Sequence, residues 1–352
     1  MERREFLRKV GIVAGAAAAT AGAVSWVRRA GAQDAGGRMP EETTRGDMRY
    51  RALGTTGEKV SLVGLGGWHL GSIRDDREAI ALVRAAVEAG INFLDNCWDY
   101  HDGRSEQLLG QALEGGLRDE VFLMTKIDGR TREAAARQLD ESLRRLRTDR
   151  IDLVQHHEVI RMEDPDLICG QGGAHEALLA AQKAGKVRFV GFTGHKDPLV
   201  HLRMLDVAVD RGLKLDAVQM PVNAFDAHFR SFSGKVLPRL VADGIAPLAM
   251  KSLGGGHLLR SGRVTAIECL HYAMTLPVAT VITGIDSQRI LDQALEAVKT
   301  FRPLDRAALA RLLARTEDPA EKGDFEPFKT SNMFDGTAQH PEWLGLPQKG
   351  PG

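Results

Sequence analysis

From residue 61 onward, short apolar or β-branched runs alternate with longer helical stretches, and this rhythm leaves few architectures open. The strand candidates are residues 61–64, 92–94, 121–125, 151–155, 187–192, 217–220, 245–249 and 279–282. Helical patterns lie between them at 77–89, 106–114, 132–146, 174–184, 199–210 and 289–299. The strand runs are continuous rather than alternating in polarity, as expected of a parallel sheet covered on both faces. Eight such runs in about 220 residues predict an α/β chain closed into a (β/α)8 TIM barrel. The competing doubly wound dinucleotide sheet wants G-x-G-x-x-G after its first strand. Here that strand leads into Gly64-Leu65-Gly66-Gly67-Trp68-His69, so the last glycine is missing. Residues 50–60, with Thr56-Gly57 at their centre, predict an N-terminal β-hairpin closing the barrel bottom. Residues 304–316 predict a C-terminal extra helix. The tail beyond it carries Phe325, Phe328, Phe334 and Trp343, which predicts that it lies on the body.

The 352 residues hold 47 Lys+Arg and 47 Asp+Glu, and a net charge of zero argues against a nucleic-acid partner. A hydrophobic share of 43% with 27% charged residues argues against disorder. Cys97, Cys169 and Cys269 are far apart with no C-x-x-C, which argues against a disulfide framework or a zinc ribbon. The charge is unevenly placed. Residues 1–32 carry six basic and two acidic residues, a net of +4, and the remainder is −4.

That basic leader has the parts of a secretory signal. Arg3-Arg4-Glu5-Phe6-Leu7-Arg8-Lys9 precedes a small-residue apolar stretch to residue 27, and Ala30-Gly31-Ala32 offers a cleavage site. The paired arginines resemble the twin-arginine type, whose cargo crosses already folded and cofactor-loaded. The expected division is a signal peptide at 1–32, a linker at 33–48, the barrel at 49–300 and a C-terminal helix and tail at 301–352. The expected partner is the twin-arginine export machinery, and the expected location is the periplasm, with membrane contact only through the signal. Without cleavage the chain would stay membrane-anchored, and with a non-functional signal it would stay cytoplasmic.

In such a barrel, chemistry collects at the C-terminal strand ends. The second strand ends at Asp95, followed by Asn96-Cys97-Trp98-Asp99-Tyr100, the third at Lys126, and the fourth in Gln155-His156-His157-Glu158. A phenol near pKa 10 donates a proton poorly unless its anion is stabilised. A neighbouring Lys126 would lower that pKa, and Asp95 would hold the lysine. A histidine beside them would donate a hydrogen bond to a substrate carbonyl. The set suits carbonyl reduction, in which hydride reaches carbon while Tyr100 protonates oxygen. Only Tyr50, Tyr100 and Tyr272 are available as phenols, and Tyr100 alone follows a strand end.

These residues resemble the aldo-keto reductase family. Gly90-Ile91-Asn92-Phe93-Leu94-Asp95-x4-Tyr100 with Ser105-Glu106-x-x-Leu109-Gly110 is similar to its signature around the catalytic Asp and Tyr. Leu123-Met124-Thr125-Lys126 and Ile151-Asp152-Leu153-Val154-Gln155-His156-His157 resemble its lysine and histidine strands. The resemblance covers about 49–300 and implies Asp95, Tyr100, Lys126 and His157 as the catalytic set, with His156 a wall residue. It also implies a cofactor set. Gly66 and Gly67 end the first strand, while Thr193, Gly194 and Gln219 stand where the nicotinamide carboxamide is held. Lys251, Ser252, Leu253 and Gly254 resemble the loop around the pyrophosphate. Gly284, Ser287, Arg289 and Gln293 stand where the adenosine is gripped, with Arg289 facing the 2′-phosphate. The implied cofactor is NADP(H), with NAD(H) possible. Gly194 replaces the family's Asn, leaving His195 as a substitute. Trp68 and Trp98 fall at substrate-pocket positions, and the loop 159–173 is the longest candidate for substrate selection.

Two other readings stand beside this one. A metal-dependent barrel hydrolase or isomerase would use Asp95, His101, His157 and His195 as ligands. Lys126 among them would repel an ion, and no H-x-H or H-E-x-x-H spacing occurs, so no metal is expected. A non-catalytic nicotinamide-binding protein would keep the barrel without turnover.

Overall fold

A computed structural model describes residues 39–347. The leader expected at 1–32 lies outside the described residues.

Eight parallel strands form a closed barrel: β4 (Val63–Gly66), β5 (Phe93–Asp95), β6 (Phe122–Ile127), β7 (Ile151–His156), β8 (Val187–Thr193), β9 (Ala217–Pro221), β10 (Ala246–Met250) and β11 (Thr280–Gly284), with β11 pairing back onto β4. All eight coincide with the runs read from sequence, with ends shifted by one or two residues. Nearly every strand residue is buried, because side chains point alternately into the barrel and against the outer helices. Phe93, Phe122, Met124, Leu153, Leu248 and Ile282 fill the interior. Phe93 stacks on Phe122 with centroids 5.5 Å apart, and Phe122 on Phe189 at 6.1 Å.

The floor is a three-stranded antiparallel sheet of β1 (Glu42–Arg45), β2 (Met48–Ala52) and β3 (Lys59–Ser61). Leu53 and Val60 cap the interior cluster from below. The hairpin is the one expected, but the linker is shorter than 33–48, since β1 falls inside it. The strand Glu-Thr-Thr-Arg is exposed throughout and carries no apolar alternation. It is placed by Glu42, which accepts from Arg49 and from the buried Arg51. Tyr50 donates to Gly90 O in this floor, and Tyr272 is buried on the helix Ala266–Thr275, so neither reaches the mouth.

After β11 come the helices Gln288–Thr300 and Arg306–Ala320, the latter at the expected place. The tail then crosses the C-terminal mouth through the short helices Pro327–Thr330 and Gly336–Gln339. Lys329, fully buried, donates to Asp226 at 2.7 Å, Glu326 at 3.0 Å and Phe229 O at 2.7 Å. Asp335 pairs with His195 at 3.0 Å and Lys196 at 2.7 Å. Near the end, Leu344 O accepts from Arg130 N and Trp343 O from Gln138.

Candidate active site

A cavity of about 570 Å³ opens at the C-terminal ends of the strands. Backbone hydrogen bonds between neighbouring strand ends hold its wall. Asn96 N bonds Met124 O, Trp98 N bonds Lys126 O at 3.0 Å, and His157 N bonds Ile127 O at 2.8 Å. Glu158 takes a left-handed φ of 46°, unusual for a residue with a side chain, and both His157 and Glu158 line the cavity.

Lys126 is buried and is the hub of the wall. Its Nζ donates to Asp95 Oδ1, to Asn96 O at 2.7 Å and to Tyr100 OH at 3.0 Å. Asp95 is held from the other side by Gln219 Nε2 at 2.8 Å. The Tyr100 ring lies edge-on to His157, centroids 5.9 Å apart, and edge-on to Trp68 at 5.4 Å. Burial pushes the Tyr100 phenol well above its usual value, and the Asp95 carboxylate pushes in the same direction. The expected lowering by Lys126 is therefore not met in this site, because burial outweighs it and the Asp95 carboxylate adds to the upward push. Tyr100 is held as a neutral phenol, the form that can give up a proton.

His157 is fixed by Asp128, whose Oδ1 lies 2.9 Å from Nδ1, leaving Nε2 without a protein partner. Burial lowers the pKa of the imidazole, but the Asp128 and Asp99 carboxylates outweigh it and hold His157 above its usual value. Asp99 is itself pushed up to about 7 by burial and by Asp128. His156 points into the barrel wall, with Nε2 3.2 Å from His175 Nδ1, and burial holds it well below the ordinary histidine value.

The expected cofactor positions divide. Thr193, Gly194 and Lys251 line the cavity. Gln219 Oε1 and Ser252 Oγ are buried with no hydrogen-bond partner, so each has an unmet polar capacity at the positions where a carboxamide and a phosphate are expected. Lys251 and Gly254 to Gly256 all take left-handed φ, and a Cβ on Gly256 would meet nothing within 4 Å. Burial lowers Lys251 to about 8. These residues fit a bound dinucleotide. Gly66 and Gly67 have a different reason to be glycine, since a Cβ on them would strike Thr283 O and Asp95 O. A Cβ on Gly194 would strike Val159 O, which explains the lost Asn. Gly284 lies under the His69 ring, while Leu253 and Gln293 are half-buried. Ser287 bonds Asp286, and Arg289 is exposed in the first turn of its helix.

Of the two expected pocket tryptophans, Trp68 lines the cavity and is 52% exposed. Trp98 does not line it. Its indole N–H donates to Glu141 at 2.6 Å, Arg145 lies over its ring, and it supports Trp343, which does line the cavity. The loop 159–173 folds inward around Asp164, which is buried against Arg130 at 2.9 Å. The metal set proposed from sequence is not assembled among the described residues. Asp95 is tied to Lys126 and Gln219, His101 to Trp68 O, and His195 to Asp335.

Sequence reasoning missed Asp128, Glu158 and His69, and placed the tail on the body without the contacts that anchor it. Asp128 was within reach, since it follows Lys126 by two residues and strand alternation puts both on one side. The tail's Phe334, His340 and Trp343 line the cavity, and Glu158 accepts from Gly336 N and Thr337 N at 2.7 Å each.

The profile of the Aldo/keto reductase family matches residues 62–267, more than half of the chain. An aldo-keto reductase of Bacillus subtilis is 31% identical over 235 residues, covering 62% of this chain and 65% of that protein. The chain thus spans a little under two thirds of that relative's length. A 6-dehydroglucose reductase of Novosphingobium aromaticivorans is 32% identical over 226 residues, covering 59% of this chain and 70% of that protein. The holo form of an aldo-keto reductase from Bacillus halodurans superposes with a TM-score of 0.62 at 24% identity, covering 75% of this chain and 96% of that one, a likeness of fold. With barrel, strand-end geometry and sequence profile in agreement, the chain belongs to the aldo/keto reductase family.

Proposed function

We propose that this chain is a nicotinamide-dependent oxidoreductase that reduces an aldehyde or ketone, or oxidises the alcohol in reverse. One observation carries this reading: Lys126 bridges Asp95 and the Tyr100 hydroxyl beside His157, at the wall of a cavity at the strand ends. A bound nicotinamide supplies or accepts the hydride. Gln219 and Thr193 would hold its carboxamide, and Lys251 and Ser252 the phosphates. Arg289 is the one basic residue assigned to a 2′-phosphate, so preference for NADP(H) over NAD(H) rests on it. Tyr100 gives its proton to the carbonyl oxygen, and Lys126 stabilises the phenolate left behind. His157, held by Asp128 through Nδ1, donates from Nε2 to the same oxygen and orients it. The tail excludes water over the site. The polar lining of Glu158, Lys251 and His340 with Trp68 suits a sugar-sized carbonyl compound, and the relative named 6-dehydroglucose reductase supports that class.

Export by the twin-arginine route, with removal of residues 1–32, belongs to the same proposal. It rests on the leader sequence alone. The test of export is a reporter fused to residues 1–40, which should lose export on Arg3→Lys with Arg4→Lys. Unchanged export would remove that claim.

The test of the chemistry is Tyr100→Phe, assayed with NADPH and NADH against a panel of aldehydes, ketones and sugars. Turnover should fall by about 10²–10⁴-fold, the usual worth of a general acid. Nicotinamide binding, read by fluorescence, should survive. Retained turnover would end the general-acid assignment.

A further inference from the structure

Four side chains converge beside the barrel mouth, and two of them, Cys97 and Asp99, have no part in the proposed reduction. Cys97 Sγ lies 3.2 Å from His157 Nδ1, Asp128 Oδ1 lies 2.9 Å from it, and Asp99 Oδ1 lies 3.7 Å from it. One donor atom from each residue lies within 4.8 Å of all the others. Cys97 and Asp128 are fully buried, and the Asp99 side chain is 8% exposed. Asp99 Oδ1 and Asp128 Oδ2 are both buried without a hydrogen-bond partner. Native structures seldom leave buried carboxylate oxygens unsatisfied, because the desolvation is uncompensated. Here two such oxygens belong to carboxylates that flank the same imidazole.

We propose that Cys97, Asp99, Asp128 and His157 form a binding site for a divalent transition-metal ion of the zinc class. One sulfur, one imidazole nitrogen and two carboxylate oxygens are a mixed set that suits a borderline ion, whereas calcium and magnesium take oxygen alone. Tetrahedral zinc, with bonds of about 2.0–2.3 Å, sets its nitrogen and oxygen donors about 3.4 Å apart and its nitrogen and sulfur about 3.6 Å apart. The three separations measured from His157 Nδ1 lie within about half an ångström of those values, and the remaining pairs lie within 4.8 Å.

The frame is already built. Trp98 N on Lys126 O fixes the loop carrying Cys97 and Asp99, and His157 N on Ile127 O fixes the histidine. Asp128 N is held by Gln138 Oε1 at 2.8 Å. Access exists, because Asp99 and His157 line the cavity. The absence of metal-ligand spacings in the sequence follows from the geometry, since the ligands come from three successive strand ends rather than one segment.

On binding, the Cys97 thiol gives its proton to solvent as sulfur bonds the ion. Any proton on His157 Nδ1 or on the Asp99 carboxyl leaves to solvent as well. Three anionic ligands and a dication leave a net single negative charge beside the Lys126 ammonium. The ion then occupies Nδ1 and confines the remaining proton to Nε2, holding His157 as an N–H donor toward the cavity. Only this consequence rests on the proposed reduction. The site itself does not.

The full protein, stripped with a chelator, should be titrated with Co2+ in the absence of nicotinamide. One equivalent should produce a thiolate-to-cobalt charge-transfer band and the visible bands of a tetrahedral ion, and Zn2+ should displace it. Cys97→Ser should remove the charge-transfer band, and Asp128→Asn should weaken binding at least about tenfold. Circular dichroism separates a misfolded variant from a lost ligand, and the wild-type titration decides even if both variants fail to fold. No band, binding weaker than about 0.1 mM, or a band that persists in Cys97→Ser would overturn the proposal. Since no cofactor is present, failure here leaves the oxidoreductase reading untouched, and failure of that reading leaves this result standing.

Discussion

The barrel and the tail across its mouth differ in how much polar contact holds them. In the barrel, Phe93, Phe122, Leu153, Leu248 and Ile282 share one apolar interior. The tail buries Phe328 and sets Phe325 against Phe225, but it also depends on a few directional polar anchors. Lys329 satisfies Asp226 and Glu326, Asp335 sits between His195 and Lys196, and Glu158 takes the backbone of Gly336 and Thr337. Apolar burial is spread over area and tolerates substitution. A buried ion pair barely stabilises relative to an apolar pair but costs several kcal/mol when one partner is removed. The wall is therefore robust residue by residue, while the tail should come away at single positions.

Lys329→Met tests this most severely. It leaves Asp226 and Glu326 buried without their cation, and should destabilise the protein by about 3–5 kcal/mol. Urea unfolding measures the loss, and limited proteolysis should cut the tail before the barrel. If the tail stays protected, the polar anchors are not what holds it.

The same contrast explains what could be read from the chain. All eight barrel strands were legible because burial on both faces writes mostly apolar runs that do not alternate in polarity. Asp95, Tyr100, Lys126 and His157 were legible because each lies at a strand end or a few residues past one. β1 was not, since Glu42–Arg45 buries nothing and is held by backbone pairing to β2 and by the charge of Glu42, neither of which leaves an apolar pattern. The tail was read as lying on the body, but its anchors were not legible, since its partners lie far away in sequence, as Glu158 does from Thr337. Trp98 was read as a pocket residue because it falls where the resembling family lines its pocket, but its indole N–H is drawn to Glu141. The direction of the Tyr100 shift was misread because the sequence shows a lysine nearby and not the depth of burial.

Glu158→Gln loosens the tail without leaving a buried charge. One acceptor for Gly336 N and Thr337 N is lost, and the cavity should become less well closed. KM for the carbonyl substrate should rise about tenfold, equivalent to about 1.4 kcal/mol, with kcat changed much less. Steady-state kinetics checks this split. An equal fall in kcat would place Glu158 in the chemistry rather than in the closure.

Ile282→Val is the matching change in the barrel. Removing one methylene from the interior should cost about 0.5–1.5 kcal/mol. Thermal unfolding should shift with the tail no more open to protease than before. Selective release of the tail by this variant would erase the distinction between the two regions.

The smallest effect probes where the regions meet. Lys251 belongs to the barrel, and its ammonium lies 4.6 Å from the Phe334 ring and 5.9 Å from the Phe328 ring, both in the tail. Burial under this cover lowers its pKa to about 8. Below that pH the lysine is cationic and attracts a phosphate, and as pH rises through it the charge is lost. A bound phosphate favours the cation, so the complex titrates later than the free protein. Between pH 7 and 8.5 the cationic fraction of the free protein falls about fourfold, and the dinucleotide Kd should rise by about the same factor. Lys251→Met should weaken binding throughout and remove the slope. Phe334→Ala should uncover the ammonium, return its pKa toward the ordinary lysine range, and flatten the profile without removing the charge. A slope unchanged in Phe334→Ala would mean that the barrel alone desolvates Lys251 and that the tail has no part in tuning it.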